Sequence, residues 1–179
     1  MKKNNFFKTY FLVILFFSLT FIFDMLTKYF LIGTLIPNES DSVDFIDGFI
    51  NFVYVQNKGA GWGILSGQSV LLIVLSIIIL AALIWFYIIK MKQVSKLNTF
   101  LSISIGLIVG GCIGNLYDRI FFGFVRDFIN FQFMSFPVFN IADISLSVGV
   151  VCIVIYFILD YISYKNTEKL KNSSENKDN

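Results

Sequence analysis

The chain has 179 residues, 56% of them hydrophobic, a formal net charge of only +2 and a mean hydropathy of +0.76. A soluble domain of this length needs a largely polar exterior, so this composition places the chain in a bilayer. Histidine is absent, which removes Ser-His and Cys-His nucleophilic mechanisms and His-ligated zinc sites, and no basic cluster interleaved with aromatics points to nucleic acid.

Four apolar stretches, Phe11–Gly33, Ser69–Ile89, Leu97–Tyr117 and Ile141–Ser163, each approach the roughly 20 residues a helix needs to cross about 30 Å of hydrocarbon. The expected fold is an all-α integral membrane protein of four transmembrane helices with a small extracytoplasmic β-rich cap. The first stretch follows Lys2, Lys3 and Lys8. It is long, lacks a small-residue cleavage site and precedes three further spans, so it reads as a retained anchor rather than a cleaved signal. The first outer segment, 34–68, is acidic at Glu39, Asp41, Asp44 and Asp47. It then partly alternates through Phe49, Ile50, Phe52, Tyr54 and Val55, which suits strands at the interface.

The second and third spans are joined by a short basic turn, Lys90–Lys96. The second outer segment, 120–139, carries another alternating piece, Val125–Phe133, able to pair with the first. Residues 1–163 thus form one four-helix domain, and 164–179, rich in Lys and Asn, is expected to be a disordered polar tail. Cys112 and Cys152 lie in apolar runs without CxxC spacing and read as small packing residues.

Ten of the 14 Lys and Arg residues fall on the amino-terminal side of the membrane, only Lys28, Lys58, Arg119 and Arg126 lying opposite. The positive-inside rule therefore puts both termini in the cytoplasm. Eight of the 12 acids, Asp24, Glu39, Asp41, Asp44, Asp47, Asp118, Asp127 and Asp143, face outward.

Ionisable groups near membrane depth are costly unless paired or solvated, so each one is a functional pointer. Asp24, Thr27 and Lys28 share one helical face near the outer end of the first span, either as a helix-end anchor or as support for a reaction centre. On the third span Gly106, Gly110 and Gly114 recur every four residues and admit a second helix closely. Gly111, Asn115 and Asp118 form a neighbouring face, with Arg119 next. The fourth span opens on Asn140-Ile-Ala-Asp143, the spacing of a capping box. Topology sets Asp118 at the outer end of one helix and Asp143 at the outer start of the next, so the two carboxylates can meet. A carboxylate pair sharing one proton activates water without His, Ser or metal. The helix dipoles favour the proton on Asp118 and the charge on Asp143.

Five segments resemble the prolipoprotein signal peptidases, also called signal peptidase II. They read Asp24-Met-Leu-Thr-Lys28, Asn57-Lys-Gly-Ala-Gly-Trp-Gly63, Gly110-Gly-Cys-Ile-Gly-Asn-Leu-Tyr-Asp-Arg119, Val125-Arg-Asp-Phe128 and Phe139-Asn-Ile-Ala-Asp143. Gly61 stands where the family pattern leads one to expect Ala or Ser, and Ser135–Val138 is poorer in Trp and His than that pattern. The resemblance implies a catalytic dyad of Asp118 and Asp143, with Asp24, Lys28, Asn57, Gly59, Asn115, Arg119, Asn140 and Ala142 supporting it or contacting substrate. It also implies an aspartic endopeptidase of the bacterial cytoplasmic membrane that works near the outer face and needs no cofactor or metal. Its partners would be lipidated prolipoproteins and membrane lipid, with no nucleic acid, and the chain would act as a monomer. A small transporter or channel subunit is the rival reading. That reading predicts polar residues spread through the bilayer depth, whereas the middle and inner halves of these spans read as apolar.

Overall fold

The computed structural model describes residues 3–61, 64–91 and 98–175. The expected basic turn lies mostly outside them, as do Trp62, Gly63 and the last four residues. Four long helices carry the fold: α1 (Lys3–Phe30), α2 (Ser69–Met91), α3 (Asn98–Phe122) and α4 (Ile141–Glu175). Each holds a stretch long and apolar enough to cross a bilayer, namely Phe7–Leu35, Ser69–Lys90, Asn98–Phe122 and Ile141–Lys169. The first of these includes a π-helical turn, Leu31–Leu35, that closes α1 ahead of Pro37.

α3 is the central helix. Of its span 56% is buried, against 17, 11 and 17% for α1, α2 and α4, which turn most of their apolar surface outward. Glycine explains the close approach of α1. A Cβ at Gly110 would lie 2.6 Å from Thr20 Cβ, and one at Gly114 would lie 2.6 Å from Asp24 Oδ2. Small residues substitute for the hydrophobic drive that lipid does not provide, since they let backbones meet.

The cap is a three-stranded antiparallel sheet in the order β1 (Ser42–Ile46), β2 (Ile50–Asn57), β3 (Val125–Phe131). Asp47-Gly48, with Gly48 at φ +67°, turns the β1–β2 hairpin, as expected where a tight turn needs positive φ. The expected pairing of the two outer segments is present: Ile50 opposes Phe131, Val55 opposes Asp127 and Asn57 opposes Val125. A bridge between Ile129 and Phe139 then lays the approach to α4 alongside β3.

Two expectations need correction. The tail is helical through Glu175, because α4 simply continues. No Pro or Gly interrupts Ser163–Glu175, Thr167 Oγ1 bonds Ser163 O at 2.9 Å, and extending an existing helix costs little. The half of the bundle away from the cap, expected to be apolar, is also not wholly so. Thr9, Tyr87, Asn98 and Ser102 are buried there, with Tyr87 Oη 3.0 Å from Ser102 Oγ and Ser102 Oγ donating to Asn98 O at 2.7 Å. These uncharged groups tie helices together.

Candidate active site

The end of the bundle that carries the cap gathers two polar clusters, and they have different characters. In the first, Lys28 and Asp24 face one another one turn apart on α1, both with no exposed surface, Nζ to Oδ2 at 2.7 Å. Asp24 Oδ1 accepts the backbone N–H of Ala142 at 3.0 Å and so pins the start of α4 to α1. Lys28 Nζ also lies 3.0 Å from Asp118 Oδ2. Asp118 is saturated. Its Oδ1 accepts Arg126 Nε at 3.1 Å and Nη2 at 2.7 Å, and its Oδ2 accepts the Arg126 N–H at 3.0 Å. The Arg126 guanidinium also covers the Phe122 ring at 4.3 Å. Two acids and two bases cancel here, which makes their burial tolerable.

The second cluster centres on Asn140. Its Oδ1 accepts the Asp143 N–H at 3.0 Å and its own N–H reaches Asp143 Oδ2 at 3.1 Å, the reciprocal capping expected from their spacing. Asn140 Nδ2 meanwhile donates to Asp127 Oδ1 at 2.7 Å and to Asn115 Oδ1 at 3.0 Å. Asn115 Nδ2 donates to Asp143 Oδ1 at 2.7 Å, and Asn57 Nδ2 to Asp127 Oδ2 at 2.9 Å. Arg119 completes the wall, with Nη2 donating to Gly59 O at 3.0 Å. Asp143 occupies the first turn of α4, where unpaired N–H groups favour a negative charge.

The expected meeting of Asp118 with Asp143 does not match this arrangement. Asp118 turns toward α1 and β3, and its oxygens are taken by Lys28 and Arg126. The carboxylate that shares Asn140 with Asp143 is Asp127. Burial, chiefly, and the neighbouring Asp143 carboxylate push the Asp127 pKa up to about 7, against hydrogen bonds from Asn57 and Asn140 and the charge of Lys28. A carboxyl poised near neutrality beside a second one is the arrangement needed for acid and base work. The sequence held a signal for it. Asp127 alternates with Val125 and Ile129 on a strand, so it belongs to the same face as apolar neighbours, and Val125 and Asp127 are indeed 2% and 1% exposed.

All eight supporting residues expected from the sequence lie in these two clusters. Asn57, Asn115, Arg119 and Asp143 line a cavity of about 450 Å³, whose remaining wall is largely apolar, with Phe131, Phe136, Phe139, Ile144 and Val148. Cys112 and Cys152 are free and half-buried.

Known proteins share this architecture. A chain from Staphylococcus aureus described as lipoprotein signal peptidase is 39% identical over 170 residues, covering 94% of this chain and 99% of that one. A bacterial membrane enzyme structure obtained by the in meso method at 2.3 Å resolution superposes with a TM-score of 0.73 at 39% identity, over 83% of this chain and 88% of the other. A second, at 1.9 Å, gives 0.69 at 40% identity, over 81% and 91%. The family model for signal peptidase (SPase) II matches residues 16–159, from within the first span to within the fourth and including the cap, and the chain belongs to that family.

Proposed function

We propose that the chain is an aspartic endopeptidase that removes the signal peptide from diacylglyceryl-modified prolipoproteins, cutting on the amino side of the lipidated cysteine, with Asp127 and Asp143 as the water-activating pair. The observation that carries the dyad is Asn140, which bonds both carboxyl groups at once beside the polar end of the cavity. Family membership carries the substrate class and gives the transporter or channel reading no support.

Asp143, ionised, takes a proton from water as the water oxygen bonds to the scissile carbonyl carbon. Asp127, protonated, gives its proton to the carbonyl oxygen, and a neutral tetrahedral diol results. On collapse Asp143 returns its proton to the cysteine nitrogen as the C–N bond breaks, and a diol hydroxyl proton returns to Asp127. Signal peptide carboxyl and free cysteine amine are the products, and the pair regains its starting state. Arg119 and Asn115 sit where they can hold the peptide against the pair. Asp118 and Arg126 take no part in the chemistry and strap β3 to α1 and α3, which aims Asp127.

The charge bias of the loops supports a multi-pass arrangement with both termini cytoplasmic and the dyad near the outer face. The helix faces turned outward are apolar and suit lipid, and a single copy contains every group the mechanism uses, in keeping with a monomer. Two carboxylates activate water without a metal or cofactor. The deciding assay compares cleavage of a lipidated precursor with its unlipidated form, by wild type and by Asp127→Asn. Lipid-dependent cutting that Asp127→Asn abolishes is expected. Equal cutting of both precursors would sink the lipid-selective reading, and activity in Asp127→Asn the dyad.

A further inference from the structure

Asp127 is 1% exposed although the cavity lies beside it. Both of its oxygens are covered by amide groups. Asn140 Nδ2 holds Oδ1 at 2.7 Å, and Asn57 Nδ2 holds Oδ2 at 2.9 Å. Of these two residues only Asn57 lines the cavity. Its orientation is fixed, because Asn57 Oδ1 accepts the Gly59 N–H at 2.9 Å, which leaves the NH2 group to face Asp127. Asn57 is the last residue of β2, and the loop it leads into is closed by Gly67 N–H donating to Lys58 O at 3.0 Å. The Asn57 amide therefore stands between the cavity and the acid.

We propose that Asn57 is a latch on Asp127, displaced by the scissile peptide of the substrate, and that its displacement lets Asp127 take up the proton it must donate. The inference rests on the Asp127–Asp143 reading above. An NH2 group can only donate, so while Asn57 and Asn140 both point N–H at the carboxyl, neither oxygen has an acceptor for a carboxyl proton, and the ionised form is favoured. A peptide carbonyl is the opposite partner: it accepts. Exchanging the asparagine N–H for a peptide C=O trades one hydrogen bond for another, and it leaves Asp127 with a proton aimed at the oxygen where charge develops. The charged groups around Asp127 are Asp143 on α4, Lys28 on α1, Arg119 on α3 and its strand neighbour Arg126. Arg119 is linked to Asn57 through Gly59, whose N–H donates to Asn57 Oδ1 and whose O accepts Arg119 Nη2. Asn57 is thus a positioning residue whose hydrogen bond suppresses the acid until substrate arrives.

Two measurements test the latch. The first is the pH profile of kcat/KM on a lipidated precursor for wild type, Asn57→Ala and Asn57→Asp. The high-pH limb should move upward by about one pH unit in Asn57→Ala, as the donor to the ionised form is lost, and further in Asn57→Asp, which adds a carboxyl. A limb that stays in place in an active Asn57→Ala overturns the proposal. The second uses wild type alone, so it survives a misfolded variant. Calorimetry in buffers of different ionisation heat should find close to one proton taken up per bound lipidated peptide whose scissile amide is replaced by a ketomethylene, at pH 7.5 to 8. No uptake overturns the latch. Asp127→Asn is assayed alongside: activity there removes the dyad, whereas a dead Asp127→Asn with no limb shift and no uptake removes the latch alone.

Discussion

Asp127→Asn and Asp118→Asn should have opposite effects on stability, because one carboxyl is held at a cost and the other is paired. A buried carboxyl whose pKa rises from 3.8 to about 7 on folding destabilises the native state by about 4 kcal/mol once the pH exceeds both values. The native state binds the extra proton between those two values, so this cost is absent below pH 4, grows toward pH 7 and is constant above. Asn removes it but keeps only one acceptor for the two amides of Asn57 and Asn140, forfeiting about 1–2 kcal/mol. Asp127→Asn should therefore be more stable than wild type by about 2 kcal/mol at pH 7.5, several degrees in Tm, and slightly less stable at pH 4. Asp118→Asn leaves the buried Lys28 and the half-buried Arg126 with only Asp24 to balance them, and breaking such a network costs about 3–5 kcal/mol, somewhat less for a substitute that retains one oxygen and a partner that is partly exposed. Thermal unfolding of the purified variants in one detergent, at both pH values, reads the contrast, with precursor cleavage measured in parallel. An Asp118→Asn protein as stable as wild type, or an Asp127→Asn protein that still cleaves, would refute the assignment of the two roles.

Activity should decline as pH rises through about 7, since deprotonating Asp127 removes the acid; a kcat/KM that is level from pH 6 to 9 would count against it. Gly114→Ala should lower Tm by several degrees, because its Cβ would sit 2.6 Å from an Asp24 oxygen fixed by Lys28 and within 3.3 Å of Ala142 Cβ. Differential scanning of that variant is the check, and an unchanged Tm would show that α1 and α3 yield easily. A cysteine at Lys169 should resist an impermeant thiol reagent applied to intact cells, and one at Asp47 should react; the reverse pattern overturns the orientation. Cleavage should survive chelation, whereas loss restored by a divalent metal would exclude a mechanism of two carboxylates alone.

The four spans were legible because crossing a bilayer demands a long apolar run, and that demand is written locally into Ser69–Ile89 or Ile141–Ser163 whatever the rest of the chain does. The Asn140–Asp143 capping pair was equally local, three residues apart on one turn. The pairing of the outer segments followed from alternation, which fixes the face each side chain takes along Val125–Phe131. The partner of Asp143 could not be read this way. Asp118 and Asp127 both sit at the cap end of the bundle, nine positions apart, and sequence order favours the one on the adjoining helix. Choosing between them needs to know which cations lie nearby, and those come from α1 and β3, with Lys28 90 positions away from Asp118 along the chain. Tertiary structure separates the two through charge balance: Asp118 lies against Lys28 and Arg126, whereas Asp127 shares Asn140 with Asp143, and burial beside that second carboxylate raises the Asp127 pKa to about 7.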